Sequence, residues 1–288
     1  MKKFLTILSI LLAISPVNAF DFREYISEYK SGREINSVKR FFDKQVNYAN
    51  RSNLKRYIST YDDKYISSDG FDKKVFSEMI KDIWSSYNDL EYSIDVKKIE
   101  IKNDKAIVET VESSYAEISM TNVYRGELKS KSDTIYYLER KENGNWKIIG
   151  DKVLRESTSM LYGSAKGLDV KLTVPETISP NTDYLATLEF TPPADTFAIA
   201  SIASDKVEFP QKPTKEVFRP LPEDNILERF FTSNNDDVNE YVVASIGLTK
   251  TSVDDLSLKL NLTGFGYAIK RVNLIEKKNG ESLDGKIE

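Results

Sequence analysis

The first apolar pattern with a helical period runs through Ile35, Val38, Phe41, Phe42, Val46 and Ala49, with Lys39, Arg40, Asp43, Lys44 and Asn47 on the other side. Recurrence at three and four residues is the mark of one buried helix face, here about fifteen residues long. A shorter helix carries Leu54, Tyr57 and Ile58. Lys64-Tyr65-Ile66-Ser67-Ser68 then reads as a brief extended piece closed by Asp69-Gly70, and Asp72 is placed to cap a third helix. The buried stripe of that helix is Val75, Met79, Ile80, Ile83, Trp84 and Tyr87.

After Asn88 the period becomes two. Leu90, Tyr92, Ile94 and Val96 alternate with Glu91, Ser93 and Asp95, and Lys97-Lys98 shifts the phase so that Ile99 and Ile101 continue in a slipped register. One extra residue in a strand has this effect, so a β-bulge is expected there. Asn103-Asp104 turns the chain into a second strand from Ala106 to Ile118. Two more follow, near Leu128 to Leu138 and Trp146 to Leu154, joined at Asn143-Gly144. The expected fold class for this part is α+β: three N-terminal helices packed on a curved antiparallel sheet.

From Asp169 onward no helical period remains. β-rich runs occur at Val170 to Val174, Leu185 to Phe190, Phe197 to Ile202, Tyr241 to Leu248, Leu256 to Leu262 and Tyr267 to Ile275, separated by Pro, Gly, Asn and Asp. Short alternating runs at this spacing predict an all-β, immunoglobulin-like sandwich. Ile226-Leu227-Glu228-Arg229-Phe230-Phe231 suits either a short helix or an edge strand. The segment with Pro210, Pro213, Pro220 and Pro222 reads as a long crossing loop packed on the sandwich, with an extended ligand for a partner groove as the other reading.

Proline usage divides the chain. Residues 20–163 contain none, whereas eight fall between Pro175 and Pro222. The expected organisation is therefore a leader over residues 1–19, an α+β domain over 20–163 and a β-sandwich over 164–288, hinged at Gly163-Ser164-Ala165-Lys166-Gly167. The leader has the features of a secretory signal peptide: Met1-Lys2-Lys3, an apolar run from Phe4 to Ile14, and small residues up to Ala19. Its apolar run falls short of the ~20 residues that span a bilayer. An exported protein, periplasmic or extracellular and without stable membrane insertion after cleavage, is the expectation.

Removing Lys2 and Lys3 with the leader takes the net charge from -4 to -6. Residues 20–163 hold 25 basic and 25 acidic residues and 164–288 hold 14 and 20, so neither half has the positive excess of a nucleic-acid surface. The chain has no cysteine and no histidine. Disulfides, thiolate catalysis, a serine–histidine relay and zinc sites with nitrogen or sulfur ligands are thereby excluded within the polypeptide. Carboxylate, tyrosine, lysine and hydroxyl chemistry remain.

The order of elements, with Lys64-Tyr65-Ile66-Ser67-Ser68-Asp69-Gly70 before a helix, Lys105-Ala106-Ile107-Val108 after a turn and Asn145-Trp146-Lys147-Ile148 in the last strand, resembles the nuclear transport factor 2-like (SnoaL-like) superfamily over about residues 35–157. The resemblance implies a cone-shaped domain with a pocket between sheet and helices, and pairing of two copies through the outer sheet face. Superfamily members include isomerases, dehydratases, cyclases, transport adaptors and secreted modules, so the likeness selects no single activity. The dehydratase type needs a pocket histidine, which this chain lacks. The isomerase type needs a carboxylate base opposite a tyrosine and a protonated aspartic acid.

Period two from Val108 and Thr110 places Glu112 on the helix-facing side of its strand, as a base with a raised pKa or as a solvated carboxylate at the core's edge. Trp84, Tyr87, Tyr92, Tyr136 and Trp146 either line an aromatic ligand pocket or fill the cone. Asp62-Asp63, Asp69-Gly70-Phe71-Asp72 and Asn234-Asn235-Asp236-Asp237 are oxygen-rich, but turn and cap chemistry accounts for them, so no metal is expected. No cofactor is expected either. Asn50-Arg51-Ser52 and Asn261-Leu262-Thr263 fit the glycosylation pattern. The function these features suggest is binding of a small apolar ligand or a protein partner without catalysis. A carboxylate- or tyrosine-dependent isomerase or cyclase, and a self-associating structural protein, are the alternatives.

Overall fold

The computed structural model describes residues 22–275 apart from 88, 121–123, 213–214, 237 and 255–256. The leader of residues 1–19 lies outside the described residues, as do Asp237 of the last oxygen-rich cluster and Leu256. No helix among the described residues is long and apolar enough to cross a membrane.

Three helices open the fold: α1 (Phe22–Ala49), α2 (Leu54–Ile58) and α3 (Lys73–Ser86). The face of α1 that is buried carries Val38, Phe42, Gln45 and Ala49, at the expected three- and four-residue spacing. The helix begins earlier than the pattern that starts at Ile35: Phe22, Tyr25, Ile26 and Tyr29 already recur at three- and four-residue spacing, and no proline interrupts residues 22–34. The carboxylate of Asp72 caps α3 by accepting from the Val75 amide at 2.8 Å.

Four strands follow as an antiparallel meander: β1 (Glu91–Lys102), β2 (Lys105–Ser119), β3 (Arg125–Arg140) and β4 (Trp146–Gly163). The expected slip in β1 is present between Val96 and Lys98. Both tight turns use left-handed backbone, with φ of 56° at Asn103 and 78° at Gly144. Asn50 pins the start of β1: its Nδ2 donates to the Tyr92 carbonyl at 3.0 Å and its Oδ1 accepts from the Tyr92 amide at 2.6 Å. The asparagine of the first glycosylation triplet thus has its side-chain amide engaged in the fold.

The remaining strands are β5 (Lys171–Thr173), β6 (Thr177–Ile178), β7 (Asp183–Glu189), β8 (Phe197–Lys206), β9 (Arg219–Pro220), β10 (Ile226–Thr232), β11 (Glu240–Asp254) and β12 (Ser257–Leu274). Ile226 to Phe231 is thus extended, in an edge strand. The two runs read as separate strands around Leu262 and Tyr267 belong to one strand, β12. Gly163 to Gly167 is a turn, but the sheet does not stop at it. Ser157 to Gly163 of β4 pair with Gly264 to Lys270 of β12, and one sheet runs β1-β2-β3-β4-β12-β11-β8-β9.

A second sheet, β10-β7-β5, covers the far end of the first. Between the two layers lies a core of Leu172, Tyr184, Ala186, Leu188, Phe190, Ala200, Ile202, Val242, Ala244, Ile246, Leu248 and Val272. The C-terminal part is therefore a two-layered β region that shares a layer with the helical part, and the sandwich expected as a separate body is not separate. Alternation reports which residues are buried, but not which strand is the neighbour. The long proline-bearing segment crosses beside β8, where the Val217 amide donates to Ser201 Oγ and β9 pairs with Ile199 and Ala200.

Opposite faces of the shared strands meet different partners. In β11, Val242, Ala244 and Ile246 enter the core between the sheets while Tyr241 turns to the cone, and in β12 Ala268 and Val272 oppose Arg271 in the same way. This places two C-terminal side chains on the wall of the helical half.

Candidate functional site

The cone is hollow. A cavity of about 450 Å³ lies between α3 and the concave face of the sheet. Its volume falls in the range that holds a drug-sized ligand. One wall is apolar, made by Met79, Ile80 and Ile83 of α3 with Val46 and Ala49 of α1. The other is polar and built from the sheet, with Ser130, Ser132, Glu112, Asp151, Glu156 and Thr158 among its side chains.

Period two explains the place of Glu112. Ala106, Val108 and Thr110 of β2 are buried against the helices, and Glu112 is the next inward position. Its Oε1 accepts from Thr110 Oγ1 at 3.1 Å. Burial pushes its pKa up to about 7, against the opposing pull of hydrogen bonds from Tyr136 and Thr110. Glu112 is half-buried, but the surface it exposes is the wall of the cavity.

Two more carboxyl groups reach the cavity because β4 is bulged twice. The β3–β4 register slips between Tyr137 and Leu138, where Ile149 is the extra residue, and again between Asp133 and Thr134, where Leu154 is. After the buried Trp146 and Ile148, the first slip turns Asp151 and Val153 inward, and the second turns Glu156, Thr158 and Met160 inward. Bulges are a means of re-aiming side chains beside a site. Gly150, at the first slip, permits close approach of another strand: a Cβ there would lie 3.0 Å from the Ile66 carbonyl oxygen. The chain at 60–68 runs along β4 at this point, with the Ser68 amide donating to the Asp151 carbonyl at 2.9 Å.

Each of these carboxyl groups is met by a tyrosine. Tyr65 Oη donates to Asp151 Oδ2 at 2.6 Å, Tyr241 Oη donates to Glu156 Oε2 at 2.8 Å, and Tyr136 is hydrogen-bonded to Glu112. Burial raises Asp151 to about 6 despite the Tyr65 hydroxyl, and raises Glu156 as well. The tyrosines are raised too, by burial and by the neighbouring carboxylates. Glu112 also feels the charges of Asp151 and Glu156, so the three form one electrostatic group.

At one end the turn Ser67–Phe71 holds Asp69 against the C-terminal strands. Gly70 takes φ +82° there, a conformation that a side chain disfavours. Arg271, 3% exposed, donates Nη2 to Asp69 Oδ1 and Nε to Asn273 Oδ1, and Asn239 Nδ2 donates to the same Asp69 oxygen at 2.7 Å. Two members of the oxygen-rich cluster at 69–72 are therefore engaged, Asp69 in an ion pair and Asp72 in a cap.

Of the candidates read from the sequence, Tyr87, Tyr92, Glu112 and Tyr136 line the cavity. Thr110 lies behind it, bonded to Glu112 and to the Thr134 carbonyl. Trp84 is one layer out, and its Nε1 donates to Tyr92 Oη at 2.9 Å. Trp146 belongs elsewhere: it packs under α1, donates to Ser37 Oγ at 2.9 Å and lies beneath the Arg140 guanidinium. It is the first residue of β4 and does not line the cavity. Aromatic residues do fill part of the cone, with Tyr61, Tyr65 and Phe76 in mutual contact, but space remains beside them.

Residues 40–159 match the family described as "Anti-sigma-I factor RsgI9, C-terminal domain". No curated protein matches the chain. Among solved structures, Bd1075 from Bdellovibrio bacteriovorus is 18% identical with a TM-score of 0.36, over 44% of this chain and 41% of that one. The matched part is thus less than half of the Bdellovibrio protein. A conserved protein from Planctomyces limnophilus is 12% identical with a TM-score of 0.38, over 42% of this chain and 94% of its own. An ntf2-like protein with a cystatin-like fold from Novosphingobium aromaticivorans is 10% identical with a TM-score of 0.37, over 47% of this chain and 90% of its own.

Proposed function

We propose that the chain is a non-catalytic binding protein whose cone takes up a small ligand with an apolar body and a polar end. The cavity carries this reading: about 450 Å³, with an aliphatic wall on α3 facing a wall of hydroxyl and carboxyl groups on the sheet. Such a pairing of apolar area with a few orienting polar groups is what small-molecule sites have in common. The match of residues 40–159 to a domain described as part of an anti-sigma factor, a regulator, points the same way. The β-rich C-terminal region is proposed to be an immunoglobulin-like accessory layer. Export by the leader of residues 1–19 would place the cavity outside the cytoplasm.

A second reading, proton transfer on an apolar metabolite, is favoured by one observation: Glu112 is poised at about 7, near the pH at which a general base works best. Against it, the Tyr65 and Tyr241 hydroxyls already donate to Asp151 and Glu156. A tyrosine committed to a carboxylate is not offered to a developing oxyanion. Binding is therefore preferred over turnover.

The test is titration with the neutral apolar dye Nile red, read by fluorescence, on the wild-type chain and on Ser132→Phe. Ser132 is half-buried on the polar wall, so a ring there fills the cavity. Saturable binding that the substitution abolishes, with the melting temperature kept, supports the proposal. Equal binding by both proteins would remove the cavity as the site.

A further inference from the structure

We propose that the ligand is a cation, an amine with an apolar body whose ammonium group sits among Glu112, Asp151 and Glu156; this rests on the binding role of the cavity. Four carboxyl groups line the cavity, those of Asp69, Glu112, Asp151 and Glu156, against one guanidinium, that of Arg271, and no lysine. Arg271 is taken by Asp69. Glu112, Asp151 and Glu156 consequently make no ion pair among the described residues. Their protein partners are hydroxyl groups, which satisfy lone pairs but bring no charge. The tyrosines use Oδ2 of Asp151 and Oε2 of Glu156, which leaves one oxygen of each group for a donor from the cavity.

Two features separate an amine from a neutral hydroxyl compound. An alcohol donates a hydrogen bond but leaves the like charges repelling one another, whereas an ammonium donates three and relieves the repulsion. The aromatic rings of Tyr57, Phe76, Tyr87 and Tyr92 also line the cavity. Their negative faces attract a cation and are indifferent to an alcohol. An anionic ligand is disfavoured by the same three carboxylates, because the one cation of the wall is already paired.

Three probes of one shape decide the matter by calorimetry on the full chain: 4-phenylbutylamine, 4-phenylbutanol and 4-phenylbutyrate. At about pH 8 the amine is expected to bind at least ~10-fold more tightly than the alcohol, with the carboxylate weakest. Between about pH 5 and pH 8, Glu112 and Asp151 lose their protons while Tyr65, Tyr136 and Tyr241 keep theirs. Amine affinity should rise across that interval in the wild-type chain, and alcohol affinity should stay level. In Glu112→Gln/Asp151→Asn the ratio of amine to alcohol affinity should collapse towards one and lose its dependence on pH. Equal affinity for amine and alcohol, a preference for the carboxylate, or Nile red binding without any binding of the amine would overturn the inference and leave the binding role standing. Silence from all three probes and from Nile red would sink the binding role, and the cation with it.

Discussion

Replacing Glu112 by glutamine should make the protein more stable, and the gain should depend on pH. The side chain sits where water cannot fully hydrate a charge, which is why burial leads the causes of its upward shift from 4.5 to about 7. At ~1.4 kcal/mol for each tenfold change in proton affinity, holding the ionised group there costs ~3 kcal/mol. Cavity water relieves part of this, so ~2 kcal/mol is the working figure. The sign follows from linkage. Below the unfolded value the group is protonated in both states and the penalty is absent; as pH rises through about 7 the folded protein must ionise it, and stability is lost. Glutamine has the same shape, still accepts from Thr110 and Tyr136, and never ionises. Urea unfolding of both proteins should show near-equal midpoints at about pH 4.5, and a midpoint for Glu112→Gln at about pH 8 that is higher by ~2 kcal/mol divided by the slope. Equal differences at the two pH values, or a destabilised variant at pH 8, would refute the reading of Glu112 as a buried and electrostatically unmet carboxylate.

The other predictions concern what holds the site's walls. Arg271→Met leaves the Asp69 carboxylate without its cation at a site that is 3% exposed for the arginine. It should cost ~3 kcal/mol in urea unfolding, and Asp69→Asn combined with Arg271→Met should cost less than Arg271→Met alone. Glu240, 5% exposed, accepts from Tyr184 Oη, Ser204 Oγ and both the amide and side chain of Asn234. Its replacement by alanine strands those donors and should lower stability by ~3 kcal/mol, with glutamine recovering part of the loss. Asn50→Ala removes both bonds to Tyr92 and should cost ~1 kcal/mol. Hydrogen exchange at the Tyr92 amide should speed up in that variant while amides in the middle of β3 stay protected.

The sequence carried much of the cone because α1 and the strands each turn one face inward, although α3 has no fully buried residue and the Met79, Ile80 and Ile83 of its expected buried stripe line the cavity instead. The α1 stripe, the Asp72 cap, the slip at Val96/Lys98 and the two turns at Asn103 and Gly144 each rest on local chemistry that the amino acids state directly. The course of the second half was less legible. Its strands alternate cleanly, but both layers of a sandwich alternate, and so does a sheet that runs on from a neighbouring fold. Nothing in the alternation of Ala268, Val272 and Arg271 says that β12 lies against β4. The start of α1 does carry a short stripe, Phe22, Tyr25, Ile26 and Tyr29, but Gly32 and its polar neighbours separate it from the longer one at Ile35.

The site divides along the same line, and β4 shows why. Glu112 could be found by counting in twos from Val108, because β2 runs without a slip against β3. The same count from Trp146 puts Asp151 on the wrong face of β4. One bulge inverts the parity for Asp151 and Val153, and the second restores it for Glu156, so correct placement of Glu156 by counting would have been accidental. Tyr241 and Arg271 lay further out of reach, since they enter the wall only through the sheet that joins the two halves. Yet a bulged strand and a shared sheet are what assemble the acidic wall. Without the slips in β4, Asp151 would face away from the helices and Lys152 would turn inward, while Glu156 would keep its side. Without β12, Asp69 would have no cation and the turn at Ser67–Phe71 no anchor at that end. The acidic wall therefore takes Asp151 from the slip in β4, and it takes the partners of Glu156 and Asp69, the Tyr241 hydroxyl and the Arg271 guanidinium, from the continuous sheet.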